Sequence, residues 1–201
     1  MRWSWLLLSL VWSAAVWAIG ENCSQIWTQA IRSSSTVPAW GNCFGNNPSC
    51  YNVTDATTIS SLPATLAAGD YFLTGSIPSD TTFNTSGATV RIFVKGSLSI
   101  GDNVQLNWNG PAQNLLLVVS GSLSIGSNVK IRGFILAGGA VSIANGTSGT
   151  LDGGVTSNGA FSGAGNLIAA FNSNALLKLQ GGVVCGGSLS CLNDNFQAAT
   201  L

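Results

Sequence analysis

Gly96–Val104 reads GSLSIGDNV, and Gly121–Val129 reads GSLSIGSNV; eight of the nine positions agree at an offset of 25 residues. Weaker copies surround this pair: GSIPSDTTF from Gly75, GAVSIANGT from Gly139, GAFSGAGNL from Gly159 and a last start at Gly181. The six glycines are spaced by 21, 25, 18, 20 and 22 residues. Four positions before each stand Tyr71, Ile92, Leu117, Ile135, Val155 and Leu177; two after stand Ile77, Leu98, Leu123, Val141, Phe161 and Val183. Apolar side chains thus recur at every second residue and realign about every 20. The residues between them read as largely Ser, Gly, Asn, Lys or Thr. Period-two alternation predicts strands with one buried face. Realignment at a fixed interval predicts that each repeat is one coil of a solenoid, because a single coil cannot bury its inward side chains alone. An ordinary β-sandwich would also place turns at regular spacing, but it does not explain why neighbouring repeats carry the same sequence.

The expected fold is all-β, a single-stranded parallel β-helix of about five or six coils, right-handed on the length and irregularity of its repeats. Asn103, Asn128 and Asn166 each lie seven positions after their glycine, where Asn tolerates left-handed backbone and can bond the Asn above and below. The expected organisation is a leader at 1–20, an N-terminal cap at 21–70, the β-helix at 71–185 and a C-terminal cap or tail at 186–201. The cap would contain Trp27, Trp40 and a helix-compatible stretch, Ser24–Ile31.

The leader reads MRWSWLLLSLVWSAAVWAIG, with Arg2 before an apolar run and small residues near Ala18 and Gly20. That is the layout of a secretory signal peptide, and the apolar run is short of the roughly 20 residues a bilayer span needs. The mature chain is expected to be secreted, or held at the cell surface or in the periplasm, without a membrane span. Export favours disulfides. Cys43 with Cys50, and Cys185 with Cys191, would close short loops and leave Cys23 over; a different pairing, such as Cys23 with Cys43, is also open, since connectivity is not written in sequence.

Composition narrows the chemistry. Of 201 residues 7% are charged, seven of each sign, and His is absent. Nothing supplies the cationic surface a nucleic-acid partner needs. Triads and metal sites built on His are excluded, and the Cys spacings do not suit zinc, so no metal and no cofactor is expected. Asp80, Asp102 and Asp152 fall five, six and thirteen positions after their glycines and do not line up into the clustered carboxylates of a polysaccharide-cleaving site. The chain is expected not to be an enzyme. Ser97, Ser99, Ser122, Ser124, Ser142 and Ser162 form an outward Ser rank, where an ice-binding face would favour Thr. The longest repeat carries extra residues around Asn107–Asn114, NWNGPAQN, whose Trp108 and Asn109 are the candidate ligand contacts, on a turn set by Gly110–Pro111.

The opening Cys23–Trp27 (CSQIW) after a leader, the coils VRIFVKGSLSIGDN at Val90–Asn103 and LLLVVSGSLSIGSN at Leu115–Asn128, and FILAGGAVSI at Phe134–Ile143 together resemble a known family. This is the N-terminal region of the MSHA pilus biogenesis protein MshQ family of Gram-negative bacteria, and the resemblance spans about residues 21–175. It implies a surface- or pilus-associated, adhesin-like β-helix, with type IV pilus components or surface glycans as partners and no catalytic residues to carry over. A polysaccharide-binding or polysaccharide-degrading β-helix is the alternative.

Overall fold

Leu98, Leu123 and Val141 lie side by side in one parallel ladder, and Ile100, Ile125 and Ile143 form the next column of the same ladder. The computed structural model describes residues 27–33, 56–144, 149–163 and 167–182. Fifteen strands are found among these, and every pairing between them is parallel. The chain is a parallel β-helix.

Three ladders make its walls. The first contains β2 (Thr57–Ile59), β4 (Gly69–Leu73), β6 (Val90–Val94), β9 (Leu115–Val119), the second half of β11 (Lys130–Ala137), the end of β13 (Gly149–Ser157) and, last, β1 (Ile31–Ser33). The second contains β7 (Leu98–Ile100), β10 (Leu123–Ile125), β12 (Val141–Ile143) and β14 (Phe161–Ser162). The third contains β3 (Thr65–Leu66), β5 (Thr82–Thr85), β8 (Gln105–Leu106), the first halves of β11 and β13, and β15 (Leu167–Phe171), which counts six coils. Inward side chains from all three walls, from Leu62 to Leu167, form one continuous core.

The expected column Tyr71–Ile92–Leu117–Ile135–Val155 is the observed one. One coil departs from the glycine register: Ile77 bridges Ile100 rather than Leu98. The corner from β4 to Ile77 is two residues shorter than the corner from β6 to Ile100. A slip of two keeps every side chain on its own face, whereas a slip of one would reverse them all. Phe83 accordingly stands beside Leu106.

The ends differ from expectation. Strands β2 and β3 lie before residue 71, so winding begins inside the segment assigned as a cap. Leu177 does not start another coil; it falls in α1 (Ser173–Gly182), which packs against β13 and a 3-10 turn at Ala112–Asn114. Trp27–Ile31 is not helical: the chain bends over residues 28–30 and enters β1, which adds to the free side of β13 with Ile31 opposite Val155. The described part of the N-terminal segment therefore completes the sheet at the far end of the solenoid. Tertiary pairing outweighs a weak local helix preference here. The leader, Trp40, all five cysteines and residues 186–201 lie outside the described residues.

A socket holds the Trp27 ring. It is fully buried, its Nε1–H donates to the Ile135 carbonyl at 2.9 Å, and it meets Phe134 edge-on with centroids 5.5 Å apart. Gly154 makes the room, since a Cβ there would sit 2.9 Å from the indole Cδ1. Phe134 belongs to a second apolar layer, on the outer side of the first ladder, with Phe93, Leu116, Val118 and Leu136, all of them buried. Alternation with polar residues therefore fails in this ladder. β9 and the second half of β11 read as unbroken apolar runs because both faces are covered there. On its margin Asp70 pairs with Arg91, Nε to Oδ1 2.5 Å. Burial raises the Asp70 carboxyl above its ordinary value of 3.8, and the guanidinium only partly opposes this.

Three outcomes are expected. Ile125→Asp places an uncompensated charge in the middle of the core column and should cost more than about 3 kcal/mol in urea unfolding. Trp27→Ala empties the socket and should cost about 3–5 kcal/mol by the same measurement; a change under about 0.5 kcal/mol would mean that β1 does not rely on its tryptophan. For Asp70, a folded-state value above the unfolded one lets the folded chain keep a proton the unfolded chain has lost. Its contribution to stability therefore falls as pH rises from 3.8 through the raised value. Unfolding measured across that window should show the wild type losing ground relative to Asp70→Asn as pH increases; an opposite trend would show the ion pair to dominate.

Candidate functional site

Two side-chain columns occupy the turn between the second and third ladders. Asp80, Asn103 and Asn128 all have left-handed backbone, with φ of 63°, 57° and 54°. Asn103 Nδ2 donates to Asp80 Oδ1, and Asn128 Nδ2 donates to Asn103 Oδ1, each at 3.0 Å. Beside them the Asp102 amide donates to Ser79 Oγ at 3.0 Å and the Ser127 amide to Asp102 Oδ1 at 2.6 Å. The expected Asn stack thus exists through Asn103 and Asn128, while Asn166 lies outside the described residues. Its third member is Asp80, which the two-residue shorter corner brings into line. Both acids act here as acceptors that tie coil to coil.

The corner between the third and first ladders carries the candidate ligand contacts. Asn107 is fully buried with φ 52°. Its Oδ1 accepts from the Thr85 amide (3.2 Å) and hydroxyl (2.9 Å), and its Nδ2 donates to the carbonyls of Pro111 (2.8 Å) and Arg132 (3.1 Å). One buried side chain therefore joins the coil before, the loop itself and the coil after. Gly110 is required beside it, since a Cβ there would lie 2.0 Å from Asn107 Oδ1. The sequence placed the loop but not this residue; an Asn ahead of an aromatic and a Gly-Pro turn looks like any loop Asn until its buried neighbours are known.

Trp108 is half-buried, and the Arg132 guanidinium carbon lies 4.8 Å from its ring centroid. Arg132 Nε is 2.9 Å from Asp152 Oδ2, and Asn172 Nδ2 donates to Asp152 Oδ1 at 2.8 Å. Asn109 is exposed, and its amide donates to Asn84 Oδ1 at 3.2 Å. Trp108 and Asn109 are therefore held on a rigid loop, with one ring face engaged by a cation that is itself ion-paired. Such stacking on a tryptophan is worth about 0.5–1 kcal/mol at an exposed position. Lys130, half-buried, stands between Gln105 and Thr150 on the adjoining wall.

The outer surface of the second ladder is uncharged. Ser99, Ser124, Ser142 and Ser162 stand in register across its four strands, all exposed. Ser97 and Ser122 run alongside, with the Ser122 amide donating to Ser97 Oγ at 3.2 Å. Among the described residues no group of three or more Cys, Asp or Glu is placed to hold a metal ion, and no helix is long and apolar enough to cross a membrane. The cysteine candidates Cys43, Cys50, Cys185 and Cys191 lie outside the described residues.

The corner and turn columns fall within residues 41–166, the stretch matched by a family model described as a domain of unknown function, DUF8470. No curated protein and no solved structure matches the chain. With well over half of its residues inside that match, the chain belongs to the DUF8470 family.

Proposed function

We propose that this is an exported, non-enzymatic β-helix that serves as a structural or adhesive module at the bacterial surface. The observation that carries the reading is the occupation of its acids. Asp70 is paired with Arg91, Asp152 with Arg132 and Asn172, Asp80 with Asn103, and Asp102 with the Ser127 amide. These are all the carboxylates among the described residues. Each bonds a neighbouring coil, and no three of them converge among the described residues, as a cation cradle would need. Support for export comes from the leader, and support for a pilus setting from the likeness of the coils to the MshQ family.

The Trp108 loop favours one specific mode of adhesion, contact with surface glycans. An aromatic ring fixed beside exposed amide groups offers a sugar both a stacking face and hydrogen-bond partners. Asn107 supplies the rigidity that keeps the ordering cost of binding low.

The mature chain should leave a panel of acidic and neutral polysaccharides uncleaved, with and without calcium; turnover of any of them would overturn the non-enzymatic reading. On a glycan array it should bind, and Trp108→Ala should weaken that binding at least about tenfold with little change in melting temperature. Unchanged binding by that variant would move the contact elsewhere. Loss of surface adhesion on deleting the gene is the expected cellular outcome.

A further inference from the structure

On the outer face of the third ladder, Gln105, Lys130 and Thr150 stand in register on three successive coils, all half-buried. Ile131 points into the core between Lys130 and Arg132. The two cations therefore share the outer face, about 6.6 Å apart along the strand. Among the described residues Lys130 is in no ion pair, and no hydrogen bond ties the side chains of Gln105 and Thr150. Arg132 is fixed by the Trp108 ring, 4.8 Å from its guanidinium carbon, and by Asp152 Oδ2, 2.9 Å from its Nε. That contact is an ion pair without a hydrogen bond from Nε.

The strands of this ladder carry two cations and one acid, so Asp152 offsets one charge and leaves the other. A half-buried ammonium has given up part of its hydration to the wall beneath it and gains from an anion brought to it. The flanking Gln amide and Thr hydroxyl add neutral donors on either side of it, about 4.8 Å away on the neighbouring coils. Arg132 adds a planar fork of donors, already positioned by the ring it stacks on. Two cations are far too few to hold a nucleic acid.

We propose that the glycan met by the Trp108 corner is an acidic one, whose anionic group sits between Lys130 and Arg132 while its sugar ring lies against Trp108. This deepens the glycan-contact reading of that loop and rests on it. Carboxylates of uronic acids and sulfate esters both meet the requirement, which is one negative charge with several acceptor oxygens beside a sugar ring.

Binding of the mature chain to polygalacturonate and to its methyl ester, and to dextran sulfate and to dextran, tests this. Each charged polymer that binds should do so at least about tenfold more tightly than its neutral counterpart, and added salt should narrow the gap. A preference within the first pair assigns a carboxylate, and within the second a sulfate ester; either supports the proposal. Lys130→Gln should reduce binding of the charged polymer to the level of the neutral one, with the melting temperature unchanged. Lys95→Gln removes the same charge from the exposed corner between the first and second ladders and should leave binding as it was. Glycan binding that depends on Trp108 but is indifferent to ligand charge or to Lys130→Gln would overturn this inference and leave the Trp108 contact standing. Equal losses from Lys95→Gln and Lys130→Gln would overturn it as mere attraction to net charge. Failure to bind any glycan would overturn both readings.

Discussion

The inward side chains of each coil are buried by the coils on either side of it, and much of the structure follows from that dependence. The columns Tyr71–Ile92–Leu117–Ile135–Val155 and Ile100–Ile125–Ile143 work because like lies on like at one strand spacing. Corners can then differ in length provided the chain re-enters the ladder in register. The short corner before Ile77 differs by two, and after the long loop at residues 107–114 the first ladder resumes at Leu115 opposite Val90.

The same dependence creates a difficulty at the ends, where a coil has a neighbour on one side only. The chain resolves one end by bringing back its own beginning. β1 lies beside Val155–Ser157, and the bond from Trp27 to the Ile135 carbonyl links residues 108 positions apart. Trp27 and Gly154 form a matched pair, a large ring and a missing side chain, and neither position is intelligible without the other.

What could be read in advance follows from the range of each interaction. The coil register was legible because the sequence carries two near-identical copies at Gly96 and Gly121, and translation turns such copies into vertical neighbours. Trp27 was not legible, since its role rests on a contact between one N-terminal residue and a strand far along the chain. The outer layer of the first ladder had a visible signal that alternation arguments passed over. Leu115–Val119 is apolar at five consecutive positions, and Phe134–Ala137 at four, where a one-sided strand would alternate. The Gly181 repeat failed because after Phe171 the chain turns into α1, which contains Gly181. In the candidate site, Trp108 and Asn109 were legible as a loop. The stack on Arg132 was not, because Arg132 reaches that loop only through the 25-residue offset between coils.

The polar residues show how such a scaffold limits its own chemistry. Asp80 and Asp102 seemed to be out of line by two and one positions when counted from their glycines. With the short corner accounted for, one joins an Asn column and the other a Ser column. A carboxylate that accepts from the coil above or below is held in place by the same translation that builds the core. The three walls are left with distinct outer surfaces: apolar and buried on the first, small and uncharged on the second, and polar with Lys130, Arg132 and Asp152 on the third. The first wall is already covered. The second offers hydroxyls at strand spacing but no feature to orient a ligand. On the proposed glycan-contact reading, recognition along the length of the solenoid falls to the third wall and to the Trp108 corner beside it. That corner also belongs to the longest repeat, and Asn107, the residue that rigidifies it, spends all of its hydrogen-bonding capacity within the protein, beside a half-buried ring stacked on Arg132.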